Sequence, residues 1–251
     1  MNGTSNTMVI HAHILAWNEE KILPFTLDHY SQFCNKIFIY DNMSDDGSDE
    51  IYKRYDNVTV IKWESGNTLD DLKHAEIKNN AYKQTSMDCD WVIVCDCDEL
   101  LYHPQLLDKL EEYKKLGVGV PRISGHDMFS ETFPEYDGGL ITDKIKIGSH
   151  THKMRCKNIV FNPKLDIEYS IGGHLMYISD RPILDEEFSE KTELKLLHYK
   201  YLSKEYITSR YKILTKRLSQ FNTTNGFGIH YMNLPMDYMD ELKETGFKVI
   251  S

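Results

Sequence analysis

The apolar run Trp91-Val92-Ile93-Val94-Cys95 ends in Asp96-Cys97-Asp98-Glu99. Residues of the first kind make a buried strand, and the carboxylates mark where it emerges into a polar site. Side chains alternate along an extended chain, which puts Asp96 and Asp98 on one side and Cys95 and Cys97 on the other. Carboxylates held that close repel unless a cation or donor sits between them, and a hard divalent ion suits oxygen ligands. A strand followed by a polar turn and a helix cap would leave the same trace, so the neighbouring segments must decide.

Those segments alternate in type. Residues 9–16, 36–40 and 58–63, the run from Trp91, and residues 118–123 read as strands, while 22–33, 50–55, 69–85 and 104–115 read as helices. This β-α-β alternation predicts an α/β fold with a mostly parallel central sheet flanked by helices, Rossmann-like in plan. Ligands of such sheets bind beyond the carboxyl ends of the strands. From about Ser124 the regularity fades. Residues 124–150 hold Gly125, Pro134, Gly138, Gly139 and Gly148 among acids and aromatics and read as loops shaped for a ligand. Further strands are expected at 158–161, 170–178 and 194–199, followed by a helix over 203–220 with a serine cap.

Composition narrows the possibilities. The chain has 251 residues, 41% hydrophobic and 27% charged, enough for one domain with a substantial core. A formal charge of -10 without a Lys/Arg block argues against a general grip on nucleic acid. No apolar stretch reaches membrane-spanning length and the N-terminus lacks a signal-peptide pattern, so the expectation is a cytoplasmic protein without stable membrane insertion. Five scattered cysteines fit reduced thiols, and Cys95-x-Cys97 has no second Cys/His pair to make a zinc site.

Four segments line up in order: H-I-L-A-W-N-E-E (13–20), I-F-I-Y-D-N-M-S-D-D-G-S (37–48), W-V-I-V-C-D-C-D-E-L-L (91–101) and L-L-H-Y-K-Y-L-S-K-E-Y (196–206). Together they resemble the family 2 type of nucleotide-sugar glycosyltransferases with the glycosyltransferase A fold, over about residues 8–210. The resemblance implies a tail (1–7), one domain (8–221) with a nucleotide-binding half (8–123) and an acceptor-binding half (124–221), and a C-terminal tail (222–251) packed on it. It places Trp17, Asn18 and Glu19 against the nucleotide base and Asp41 and Asn42 at base and ribose, with Ser44 and Asp46 shaping that loop. It gives Asp96 to the ribose or metal-bound water, Asp98 to a Mn²⁺ or Mg²⁺ ion bridging the diphosphate, and His198 to a further metal or phosphate contact. Glu99 matches the acid that follows the motif.

The implied reaction is inverting transfer of a sugar from a nucleotide diphosphate donor, UDP-linked in the first instance, to a hydroxyl of a glycan or other acceptor. A divalent ion would neutralise the departing diphosphate, and a general base would take the acceptor proton. The base is named poorly: Asp127 is the first choice, with Glu131, Asp137 and His174 competing. Lys153, Arg155, Lys157 and Lys200 are cations that would suit the phosphates. Three rivals stand beside this reading: a nucleotidyltransferase, a non-catalytic protein binding a sugar nucleotide or carbohydrate, and a metal-dependent phosphohydrolase. Against the first, the loop after strand one reads A-W-N-E-E, neither glycine-rich nor basic.

Overall fold

The computed structural model describes residues 8–151, 157–179, 181–182 and 194–250. Its first part runs β1 (Ile10–Ala16), α1 (Leu23–Ser31), β2 (Lys36–Asp41), α2 (Ser48–Tyr52), β3 (Val58–Lys62), α3 (Asp71–Thr85) and β4 (Trp91–Asp96). Then follow β5 (Glu99–Tyr102), α4 (Leu106–Lys115), β6 (Ile123–Ser130), α5 (Ile141–Lys144), β7 (Ile147–His150), β8 (Val160–Phe161), β9 (Ile167–Tyr169), β10 (Met176–Ile178) and β11 (Arg181–Pro182). The last part is β12 (Leu194–Leu202), α6 (Lys204–Arg217), α7 (Gln220–Asn225), a 3-10 turn (Ile229–Met232), α8 (Met236–Thr245) and β13 (Phe247–Lys248).

All of β1 is buried because it has a parallel neighbour on each edge, β2 and β4. The first sheet has the order β3-β2-β1-β4-β8, parallel except for β8. Such a centre must be apolar on both faces, and Ile10, Ala12, Ile14, Ile37, Ile39, Val92 and Ile93 are fully buried there. Each buried isoleucine contributes about 1.5–3 kcal/mol. The fold is thus α/β with a mostly parallel central sheet, as the alternation predicts. No helix among the described residues is long and apolar enough to cross a membrane.

A second sheet, β13-β7-β6-β12-β5, meets the first at the acidic motif. Asp96 is the last residue of β4 in the first sheet and Glu99 the first residue of β5 in the second, so Cys97 and Asp98 form the corner between them. Cys95 and Cys97 face the core while Asp96 and Asp98 line a cavity, which is the alternation expected. β12 lies between β5, antiparallel, and β6, parallel. In that register His198 is opposite Glu99 on one side and Asp127 on the other. Strand pairing therefore delivers His198 to the acids, and the ladder is irregular just beyond it, between His198 and Tyr201.

Several boundaries are corrected here: residues 124–150, read as loops, hold most of β6 together with α5 and β7, and of the strand expected at 170–178, Met176–Ile178 is extended in a ladder. The strand expected at 118–123 begins only at Ile123 and runs to Ser130. Gly117 with φ +72°, Gly119 and Pro121 suit a turn better than a ladder, since proline brings no N–H. Asp127 accordingly lies inside β6, with 1% of its surface exposed, and not in an acceptor-side loop. The segment after Asn222 supplies α8 and β13 and buries Met239, Leu242, Val249 and Ile250.

Candidate functional site at the strand tips

A cavity of about 910 Å³ opens where β1, β2, β3 and β4 end. Trp17 follows β1, Asn42 follows β2 and Trp63 follows β3; Asp96 and Asp98 stand at the tip of β4, with His198 and Asp127 from the second sheet beside them. α6 and residues 226–238 close the far wall. The spatial order β3-β2-β1-β4 reverses direction between β1 and β4, the kind of switch point at which open α/β sheets make crevices.

His198 is the hub of the β4 side. Its Nε2 lies 3.3 Å from Asp98 Oδ2 and its Nδ1 3.3 Å from Asp127 Oδ1. Asp127 in turn accepts from Thr151 Oγ1 at 3.0 Å and from the Tyr238 hydroxyl at 2.7 Å. Burial by itself lowers the His198 imidazole, but Asp98 and Asp127 outweigh it and raise it to about 10. Burial likewise raises Asp98, and the charge of His198 overrides that and lowers it to about 2. The two shifts describe one ion pair seen from its two ends. Asp127 is held below the usual carboxylate range, with burial opposing and His198, Tyr238 and Thr151 prevailing. A carboxylate so occupied orients His198 and is a poor proton acceptor for a hydroxyl, contrary to its first ranking as base.

Asp96 is arranged differently. Lys78 Nζ of α3 lies 2.7 Å from Oδ1 and Lys157 Nζ lies 2.6 Å from Oδ2, while Lys157 also reaches Glu99 Oε1 at 2.7 Å. Glu99 accepts from the Asp96 amide at 2.9 Å. The repulsion expected between Asp96 and Asp98 is therefore relieved by separate cations: two lysines for one, an imidazolium for the other. Burial opposes ionisation of Asp96, yet Lys157 and Lys78 hold its carboxyl well below the usual range. With a lysine on each oxygen, Asp96 is not placed as a metal ligand.

The loop after β1 is clamped by α6. Arg210 pairs with Glu19 and donates to the carbonyls of Asn18 at 2.9 Å and Trp17 at 3.3 Å. Arg217 lies 3.2 Å over the Trp17 ring centroid and donates to the Asn67 carbonyl at 3.1 Å. Stacked and multiply bonded guanidinium groups of this kind are more than surface charges. Asn18 takes φ +50° and exchanges hydrogen bonds with Asp45, so it shapes the loop without capping α1.

The residues expected at base and ribose are mostly committed to the protein itself. Asp41 is buried and accepts from the Ser44 amide, the Tyr52 hydroxyl and Lys62. The Asn42 amide is bound to Ser65 and Thr68, although Asn42 does reach the cavity wall. Ser44 accepts from the Asn18 amide, and Asp46 from the Glu20 and Ser48 amides. Among the nominated bases Glu131 is exposed, pairs with Lys243 and does not line the cavity, because it lies beyond the end of β6. Asp137 is held by Lys144 on the surface. His174 does line the cavity and makes no hydrogen bond among the described residues. Lys153 and Arg155 lie outside the described residues.

Sequence reasoning missed Lys78, Asp71, His74, Arg210, Arg217 and Tyr238. One signal was available: Arg210 and Arg217 are seven apart on α6 and share its face with the buried Leu214, an odd place for two cations. Nothing in the sequence pointed to Tyr238.

No protein-family model matches the sequence, and no curated protein does. Among solved structures the chain is similar to a 4-diphosphocytidyl-2C-methyl-D-erythritol synthase, at 13% identity and a TM-score of 0.38, over 63% of this chain and 78% of that one. It is also similar to such a synthase from Anaerococcus prevotii DSM 20548, at 18% identity and a TM-score of 0.34, over 63% and 73% of the two chains. Likeness at these scores transfers neither fold nor chemistry, and the site must speak through its own geometry.

Two predictions follow from the separate cations. Asp96→Asn leaves two buried ammonium groups short of charge and should lower stability by about 3–5 kcal/mol in urea unfolding. Asp98→Ala leaves His198 its Asp127 partner and should cost about 1 kcal/mol or less. Equal losses in the two variants would refute the partition. The His198 shift also fixes a pH window. A group raised from 6.5 to about 10 contributes fully below pH 6.5 and loses its contribution as pH climbs through 10. Melting temperature in metal-free buffer should thus decline between pH 7 and 10, and His198→Gln should flatten that decline.

Proposed function

We propose that the chain is a divalent-metal-dependent glycosyltransferase that moves a sugar from a nucleotide diphosphate donor, UDP-linked, to a hydroxyl acceptor with inversion. The observation that carries the reading is the Asp98–His198–Asp127 chain at the wall of a large cavity, facing the clamped Trp17 loop across the strand tips.

The donor set would hold a divalent ion completed by its substrate once His198 releases the proton on Nε2, since only a neutral imidazole ligates a metal. Asp98 Oδ2 and His198 Nε2 face each other, and Asp127 on Nδ1 is the outer carboxylate that orients metal-bound histidines. Among the described residues no three His, Cys, Asp or Glu side chains gather as a preformed metal site. One carboxylate and one imidazole suit Mn²⁺ or Mg²⁺ when diphosphate oxygens and water supply the remaining ligands. Bound there, the ion would offset the charge that develops on the departing diphosphate.

The protein's own groups perform the rest. Arg210 and Arg217 fix the Trp17 loop, so the donor meets a preorganised wall. Lys200, 4.9 Å from the Tyr231 ring centroid, adds positive charge on the strand that carries His198. His174 is the best placed of the nominated bases, since it faces the cavity with an imidazole uncommitted among the described residues.

Nucleotidyl transfer is the second reading, and one observation favours it. Lys78 and Lys157 bring two ammonium groups to the tip of β4, where a departing pyrophosphate would need cations. Both, however, are already neutralised by Asp96 and Glu99.

The test is product identity. With Mn²⁺ and a panel of acceptors, UDP should appear from a UDP-sugar only when an acceptor is added, and Asp98→Ala should reduce that turnover by about 10³-fold or more. Pyrophosphate released from a nucleoside triphosphate would establish the second reading, and UDP without acceptor would mean hydrolysis. His174→Ala should lower kcat by about 10²–10⁴-fold with donor affinity unchanged; an unaltered kcat would remove His174 from the mechanism.

A further inference from the structure

The cavity continues past the metal-binding side toward the tips of β2 and β3, where it is lined by Leu15, Trp63, Leu69, Asp71 and His74. Leu15, Trp63 and Leu69 give this lobe apolar wall, and two polar groups enter it from α3. Asp71 is the first residue of that helix and His74 lies three further on, so both side chains project from one face. His74 packs edge-on against Trp63, ring centroids 5.5 Å apart. Neither the Asp71 carboxylate nor the His74 imidazole makes a hydrogen bond among the described residues, although each lines the cavity. By contrast Asp41, Asn42, Ser44 and Asp46 spend their capacity inside the protein.

We infer that Asp71 and His74 recognise the nucleobase of the donor, the carboxylate accepting a ring N–H and the imidazole meeting an adjacent carbonyl. The pair suits a uracil-type imide edge, an N–H flanked by two carbonyls. This rests on the nucleotide-sugar reading and names where the base lies within it.

Three observations support the assignment. Enclosed apolar walls with few polar groups are the usual make-up of a site for a flat heterocycle. The lobe and the Asp98–His198 pair line one cavity, so a nucleotide laid across the strand tips would place its diphosphate at the pair and its base in the lobe. The N-terminal turn of α3 is also held firmly. Asp70 caps it through the Leu72 and Lys73 amides at 3.1 and 3.2 Å, and Asn222 Oδ1 accepts from the Asp71 amide at 3.0 Å. Burial lowers the His74 imidazole to about 4, which leaves it neutral and able to donate from one nitrogen. Burial, and then the charge of Asp96, raise the Asp71 carboxyl above its ordinary range against Lys78 and Lys157. An N–H donor is the partner such a carboxylate lacks.

The experiment uses the whole chain with Mn²⁺ and measures binding of UDP, of 3-methyluridine diphosphate, which lacks the ring N–H, and of inorganic pyrophosphate, which lacks a base. Wild type should bind UDP about tenfold or more tightly than the methylated analogue. Asp71→Ala, which removes the acceptor altogether, should weaken UDP by a similar factor, abolish the preference over the methylated analogue and leave pyrophosphate unchanged. His74→Ala, a second variant that puts a good helix former in α3, should weaken UDP and spare pyrophosphate. UDP binding that survives both substitutions overturns the assignment while leaving nucleotide binding in place. Parallel loss of UDP and pyrophosphate also overturns it, because the pair would then act on the phosphates or on the fold. A wild type that binds pyrophosphate but gains nothing from any base overturns it too, and a wild type that binds none of the three ligands removes the nucleotide-sugar reading with it.

Discussion

A buried charge has to be matched where it lies, and in this molecule that requirement falls on His198. Strand register brings the imidazole between two carboxylates, one at the corner joining the sheets and one inside the second sheet. Coulomb attraction at such distances exceeds the burial penalty only because both ring nitrogens find an acid and the inner acid finds two hydroxyl donors. Remove His198 and both carboxylates lose the cation that matches them. The chain of contacts therefore constrains the register of β12 against both β5 and β6. A one-residue slip would turn His198 to the opposite face of the sheet and strand both acids.

Asp96 sits two residues from Asp98 yet belongs to a separate electrostatic unit. Lys78 and Lys157 neutralise it together with Glu99, and Lys78 comes from the helix that also carries Asp71 and His74. The tip of β4 thus has an anchored side and an available side. The anchored side ties α3 to the sheet. On the available side Asp98 has His198 as its ion partner among the described residues, so a ligand can reach it without first unpicking a lysine pair.

Much of the architecture was legible because it follows from period and punctuation. The strands of the first sheet are continuous apolar runs, and the α6 boundary is announced by Ser203, whose hydroxyl accepts from the Tyr206 amide at 3.1 Å. The acidic motif was legible as a site because three carboxylates after a buried strand demand compensation. What compensates them was not. Lys78, Arg210 and Arg217 sit among ordinary helical residues, where a lysine facing solvent and a lysine facing a carboxylate look alike. β6 was misplaced for a related reason: a strand bearing Gly125, His126 and Asp127 lacks the alternation by which half-buried strands are found, because its polar residues point at the site and at neighbouring strands. Functional positions are where local patterning is expected to break.

Distance along the chain explains the remaining gap. Tyr238 reaches Asp127 across 111 residues and Arg210 reaches Asn18 across 192, so the site closes only when the last helices have docked. α8 docks through Met239 and Leu242, and the end of the chain is fixed by Val249 and Ile250 in the core, with Lys195 donating to the Val249 carbonyl at 2.6 Å. A segment with few apolar residues can hold itself in place when those few are fully buried and its polar groups complete someone else's network. Tyr238 also lines the cavity, so the terminal helix both walls the site and holds the acid that orients His198.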